Sequence, residues 1–150
     1  ENYFLDDGAY LVAKILIMAA RLKLGKNAGL LTMIDSLNQP AEEKEFRIKL
    51  LDENFAAQGE KIIEGLKSYI KGIEGWASAP VNYEGYRVSC TSATEKGWFL
   101  LRLSLHDPVL PLNIESEVNG GVKKIAANLA DFLKQFSNIN YDSVMKYCGE

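Results

Sequence analysis

The sequence predicts an α+β domain, in which helices cover one face of a four-stranded antiparallel sheet and a helical segment precedes it. Three observations carry this reading. At 150 residues the chain is long enough for one domain with its own core. Its hydrophobic period changes after Pro40 from helical to strictly alternating. From residue 41 onward the pattern runs strand, helix, three strands, helix, and adjacent strands with short connections favour antiparallel pairing.

The first helix runs from Asp6 to Arg21. Asp6 and Asp7 favour its positive end, and basic residues and Gly25 close it. Apolar positions occupy nearly its whole circumference, the pattern of a helix with partners on most sides. The apolar stretch Ala9 to Ala20, interrupted by Lys14, is shorter than the ~20 residues of a membrane span. A short second helix from Gly29 to Leu37 follows, and Asn38-Gln39-Pro40 breaks it because proline restricts its predecessor. Residues 1–38 thus follow a different structural logic from residues 41–150.

Glu45-Phe46-Arg47-Ile48-Lys49-Leu50 alternates strictly and predicts a half-buried strand. Phe55, Ile62, Ile63, Leu66, Tyr69 and Ile70 recur at helical spacing up to Gly72. Tyr83–Thr91, Gly97–Leu105 and Val109–Val118 supply three further strands, and a final helix spans Gly121–Phe136. Alternation places Phe99, Leu101, Leu103 and Leu105 on the covered face, and Trp98, Leu100, Arg102 and Ser104 on the other. Trp76 and Trp98 read as packing residues, and Glu42-Glu43 as exposed strand-end charges.

Composition narrows the function. At 47% hydrophobic and 25% charged the chain is globular rather than disordered. A net charge of −3 argues against nucleic acid as partner. His106 is the only imidazole, so a zinc site would need both distant cysteines and a carboxylate, and a Ser-His-Asp triad has one candidate base. Cys90 and Cys148, far apart in sequence, read as thiols in a reducing compartment. Neither a secretion signal nor a P-loop or dinucleotide-type glycine loop is visible.

The strand end Arg102-Leu103-Ser104-Leu105-His106-Asp107-Pro108 holds the candidate chemistry. A guanidinium fork holds two phosphate oxygens, a serine hydroxyl donates a further bond, and turn amides supply more. His106 adds a donor whose charge is tunable near neutral pH. The competing reading is purely structural: Ser104 and Asp107 satisfy turn amides while Arg102 pairs with Glu115 across strands.

The runs Tyr83-Glu84-Gly85-Tyr86-Arg87-Val88 and Gly97-Trp98-Phe99-Leu100-Leu101-Arg102-Leu103-Ser104, with the turn to Pro108, resemble the C-terminal domain of the phosphohexomutases, the phosphoglucomutase/phosphomannomutase enzymes. The opening Tyr3-Phe4-Leu5-Asp6-Asp7-Gly8-Ala9-Tyr10 resembles the start of the last long helix of their third domain. The resemblance implies that residues 1–38 are a helical remnant of the preceding domain and 41–150 a TATA-box-binding-protein-like domain. That domain grips the phosphate that is not reacting, in an enzyme moving phosphate within a hexose phosphate. Its loop commonly reads Arg-x-Ser-x-Thr-x-Pro, which matches Arg102, Ser104 and Pro108; His106 stands where threonine is usual, and Leu105 and Asp107 also depart.

The resemblance further implies a cytoplasmic parent that uses magnesium and handles hexose 1-phosphate, 6-phosphate and bisphosphate. The family's phosphoserine, metal and sugar loops have no counterpart here, so this fragment is expected to be inactive, to hold no cofactor, and to work with upstream domains of the same polypeptide. The alternative is a free-standing interaction module using its polar sheet face or its apolar N-terminal helix, the helix also offering a surface for self-association.

Overall fold

The computed structural model describes residues 8–26 and 28–149. The proposed caps Asp6 and Asp7 lie outside the described residues. The chain divides between Asn38 and Gln39 into two units. In the first, α1 spans Gly8–Lys26 with Lys23 and Lys26 in its last turn, where cations suit the helix dipole. None of its residues is buried. The expected second helix is reduced to a 3-10 turn at Leu30–Met33.

The second unit contains β1 (Glu42–Leu50), α2 (Phe55–Tyr69), β2 (Trp76–Ser78), β3 (Tyr86–Cys90), β4 (Gly97–Leu101), β5 (Val109–Ser116), α3 (Gly121–Leu133), β6 (Ile139–Asn140) and α4 (Asp142–Cys148). The strands form one antiparallel sheet of six, in the order β2-β3-β4-β5-β1-β6. The expected count of four is corrected at both edges. β2 and β6 have three and two residues, too few to show an alternating period. α4, seven residues long, was likewise not anticipated.

Alternation decides the layers. Phe46, Ile48, Val88, Phe99, Leu101, Leu110, Leu112 and Ile114 point to one face and are buried with Ile62 and Leu66 of α2, Val122, Ile125, Leu129 and Phe132 of α3, and Val144 of α4. The opposite face is open. Cys90 belongs to the core, and burial, with Glu95 nearby, pushes its thiol up to about 12. No disulfide joins it to Cys148.

Two carboxylates tie the layers together. Glu42, at the start of β1, accepts from the backbone N–H of Gly120 at 2.7 Å and of Val122 at 3.2 Å. It thus caps α3 from another element, where Gly120 offers no side chain to do so, and is not simply an exposed charge. Glu95 is buried yet satisfied. It accepts from Trp76 Nε1 at 2.8 Å, Asn128 Nδ2 at 3.0 Å and Ser92 Oγ at 3.2 Å, joining β2 and α3 to the β3–β4 turn.

Replacing Glu42 by alanine should cost about 1–2 kcal/mol in urea unfolding, whereas Glu43→Ala on the open face should change stability by less than about 0.5 kcal/mol. Alkylation at pH 8 should modify Cys148 in the native protein and reach Cys90 only on unfolding, read by peptide mass. Because burial raises the Cys90 value, that thiol contributes stability in full below its unfolded value near 9 and loses it as pH climbs toward about 12.

Candidate functional site

β4 stops at Leu101, short of the expected Leu105, and the reason is across the ladder. Arg102 donates its N–H to the carbonyl of Pro111 at 3.1 Å, but Pro111 has no N–H to return. With one bond where a regular pair has two, the chain peels from the sheet. It rejoins through Ser104 N–H to Val109 carbonyl at 3.1 Å, and the bend 105–108 follows. Leu105 is therefore not on the covered face; it is 87% exposed at the tip of the loop.

Three contacts hold this loop. Leu103 turns under the sheet onto α2 at Gly59, where an added Cβ would lie 2.5 Å from its Cδ1. Pro108 accepts from Leu50 N–H at 2.8 Å, tying the loop's end to β1. Gly85, opposite Arg102, has φ +99° and lies so close that a Cβ there would be 2.6 Å from both Arg102 Cβ and Leu101 carbonyl oxygen. That conformation explains why β3 begins at Tyr86 rather than Tyr83, with Asn82 Oδ1 accepting from Arg87 N–H at 2.6 Å. Gly85 is a positioning residue that alternation alone did not mark.

With Leu103 directed to the helices, Arg102 and Ser104 face the open side. Arg102 is exposed, and no hydrogen bond or ion pair engages its guanidinium. The expected alternative partner, Glu115, instead accepts from Trp98 Nε1 at 3.1 Å. Trp98 is not a core packing residue either: half-buried on the open face, it lies under Arg87, whose guanidinium carbon is 4.1 Å from the ring centroid. Trp76, by contrast, is buried as expected.

Ser104 Oγ accepts from Asp107 N–H at 3.2 Å, so part of the structural reading holds. Its own O–H remains to donate. The N–H groups of Leu105 and His106 donate to no protein acceptor, which leaves two amides at the bend for solvent or an anion. His106 is exposed and forms no ion pair with Asp107. One end of the sheet thus gathers an unengaged guanidinium, a hydroxyl proton, two amides and an imidazole. That set suits a tetrahedral oxyanion, opposed by the single carboxylate of Asp107.

A depression of about 440 Å³ further along the sheet is lined by Glu43, Lys44, Glu45, Asn113, Ile114 and Glu115, where three carboxylates outnumber one cation. Among the described residues no group of three His, Cys, Asp or Glu side chains could hold a metal ion. No described helix is long and apolar enough to cross a membrane.

No family model and no curated protein matches the sequence. Among solved structures, a phosphoglucomutase/phosphomannomutase family protein from Burkholderia thailandensis is similar over 89% of this chain, at 23% identity and a TM-score of 0.60. The chain spans only 25% of that protein's length. At this identity the likeness establishes the fold, an α+β sheet layered with helices.

Gly85→Ala should destabilise the protein by about 2 kcal/mol and shift the amide resonances of residues 101–104, because the added methyl meets backbone in a left-handed conformation. Gly72→Ala, where nothing lies within 4 Å of the added Cβ, should do neither.

Proposed function

We propose that the chain is part of a phosphohexomutase of the phosphoglucomutase/phosphomannomutase family, its residues 41–150 forming the C-terminal domain that holds the non-reacting phosphate of a hexose phosphate. Residues 1–38 are then the end of the preceding domain. The observation that carries the reading is the state of Arg102, an unengaged guanidinium beside Ser104 at the end of the open face, on a fold shared with a protein described as of that family. Arg102 takes two phosphate oxygens, Ser104 donates a third bond, and His106 stands at the position where the family's usual threonine would donate.

Gripping a phosphate remote from the reaction fixes the sugar's free hydroxyl near the phosphoryl donor, so that binding energy becomes positioning. The two ends of the substrate exchange roles between half-reactions, and one loop must accept either phosphate. A site of exposed donors at a strand end suits that demand, since little is shaped around the sugar itself. Phosphoryl transfer belongs to upstream segments of the polypeptide, and this chain alone is inactive in the reading. A cytoplasmic setting agrees with the buried thiol of Cys90.

Inorganic phosphate or glucose 6-phosphate titrated into the chain should shift the amides of residues 102–108. Arg102→Ala should weaken the response about tenfold, and Ser104→Ala less. An unchanged titration in Arg102→Ala would sink the reading.

A further inference from the structure

Of the asparagines in the sequence, only Asn119 is followed by glycine. Glycine has no side chain to keep its backbone nitrogen away from the preceding side-chain amide carbon, so the two can close a five-membered imide. Asn119 and Gly120 are both exposed, and among the described residues none hydrogen-bonds to the Asn119 side chain. The reacting carbon is therefore accessible to water and unconstrained by a partner.

The nitrogen that would attack it is held. Gly120 has φ +80° and ψ −3°, and Gly121 N–H donates to the Val118 carbonyl at 3.1 Å, the geometry of a type II turn with Asn119 and Gly120 at its centre. Gly120 N–H donates to Glu42 Oε1 at 2.7 Å, and Oε2 of the same carboxylate accepts from Val122 N–H at 3.2 Å. To reach Asn119 Cγ, the Gly120 nitrogen must lose its proton and the peptide must rotate out of the turn. The Glu42 carboxylate opposes both steps. Its charge-assisted bond fixes the N–H direction, and its negative charge disfavours the anion that must form on nitrogen.

We propose that Asn119 is a site of spontaneous deamidation and that the Glu42 carboxylate restrains the reaction. Solvent takes the Gly120 proton, the nitrogen forms a bond to Asn119 Cγ, and the side-chain nitrogen leaves as ammonia with a proton returned from solvent. Water then opens the imide at one of its two carbonyls and leaves aspartate or isoaspartate at position 119. One water is consumed and one ammonia released, with no change of oxidation state. Isoaspartate routes the main chain through the former side chain and adds a methylene before Gly120. The Gly120 N–H is then carried off Glu42, and α3 loses a cap that Gly120 has no side chain to replace. Nothing in this chemistry involves residues 102–108.

The test incubates the full chain at mildly alkaline pH and follows the mass of the peptide carrying residue 119, with isoaspartate separated by chromatography. In urea, conversion at 119 should outrun that at every other asparagine, and wild type and Glu42→Ala should react alike. Folded wild type should convert about tenfold more slowly than the unfolded chain, and folded Glu42→Ala should recover most of that factor. Glu42→Gln, which keeps an acceptor without the charge, should fall between them. Gly85→Ala, strained at the other end of the sheet, should keep the wild-type rate, which separates local restraint from general loosening. Equal rates in folded wild type and both Glu42 variants, an equal acceleration in Gly85→Ala, or no conversion at 119 in the unfolded chain would overturn the proposal.

Discussion

A missing donor shapes the end of the sheet that carries Arg102 and Ser104. Because Pro111 cannot return the hydrogen bond that Arg102 gives it, the β4–β5 ladder ends there, and the following residues leave the pleat without losing contact with it. One bond fewer would be only a frayed hairpin if nothing else held the chain. Leu103 lodged against Gly59, Pro108 bonded to Leu50, and Gly85 pressed on the Arg102 backbone keep the departure in place. The result is a short loop with anchored ends and an unanchored tip. Its side chains are aimed while its amides stay open.

That arrangement depends on the rest of the domain being stiff. The loop hangs on β4, β5 and β1, three adjacent interior strands whose inward residues are almost wholly buried. Glu42 fixes α3 to the far end of β1, and Glu95 knits Trp76, Ser92 and Asn128 on the side away from the loop. Polar groups that the fold must satisfy are satisfied there, by partners inside the domain. At the loop they are left over. A domain that pairs Glu42 and Glu95 so fully leaves a guanidinium and two backbone amides unengaged at this edge.

Strict alternation made β1, β4 and β5 legible, together with the face each side chain takes, because a period of two survives any tertiary context that buries one face. α2 and α3 were legible from their apolar stripes. β2 and β6 were not: pairing with a neighbour defines them, and two or three residues carry no period. Leu105 was misread because alternation continues in sequence past the point where hydrogen bonding stops, and the stop is written in a different strand, at Pro111. The Arg102–Glu115 pair was a fair guess from facing strands, yet Trp98, directly opposite Glu115 in register, claims that carboxylate first. Arg102, Ser104 and His106 were visible as residue types suited to phosphate. Gly85 was visible only as part of a familiar run, since its task depends on the distance between two backbones.

The exposure of Arg102 also has an energetic meaning. A charge pair in open water is worth at most about 1 kcal/mol, whereas the same pair gains several-fold once water is excluded. A guanidinium buried in advance would have to be desolvated during folding and paired with a carboxylate that phosphate must later displace. Left in water, it costs folding nothing and grips weakly until something covers it. If residues 102–108 hold phosphate as proposed, such a loop lets free phosphate come and go and binds an anion firmly only where water is excluded around it. On the proposed reading, weak binding in isolation follows from the exposure of the donors, and affinity is reserved for holding a sugar in one orientation.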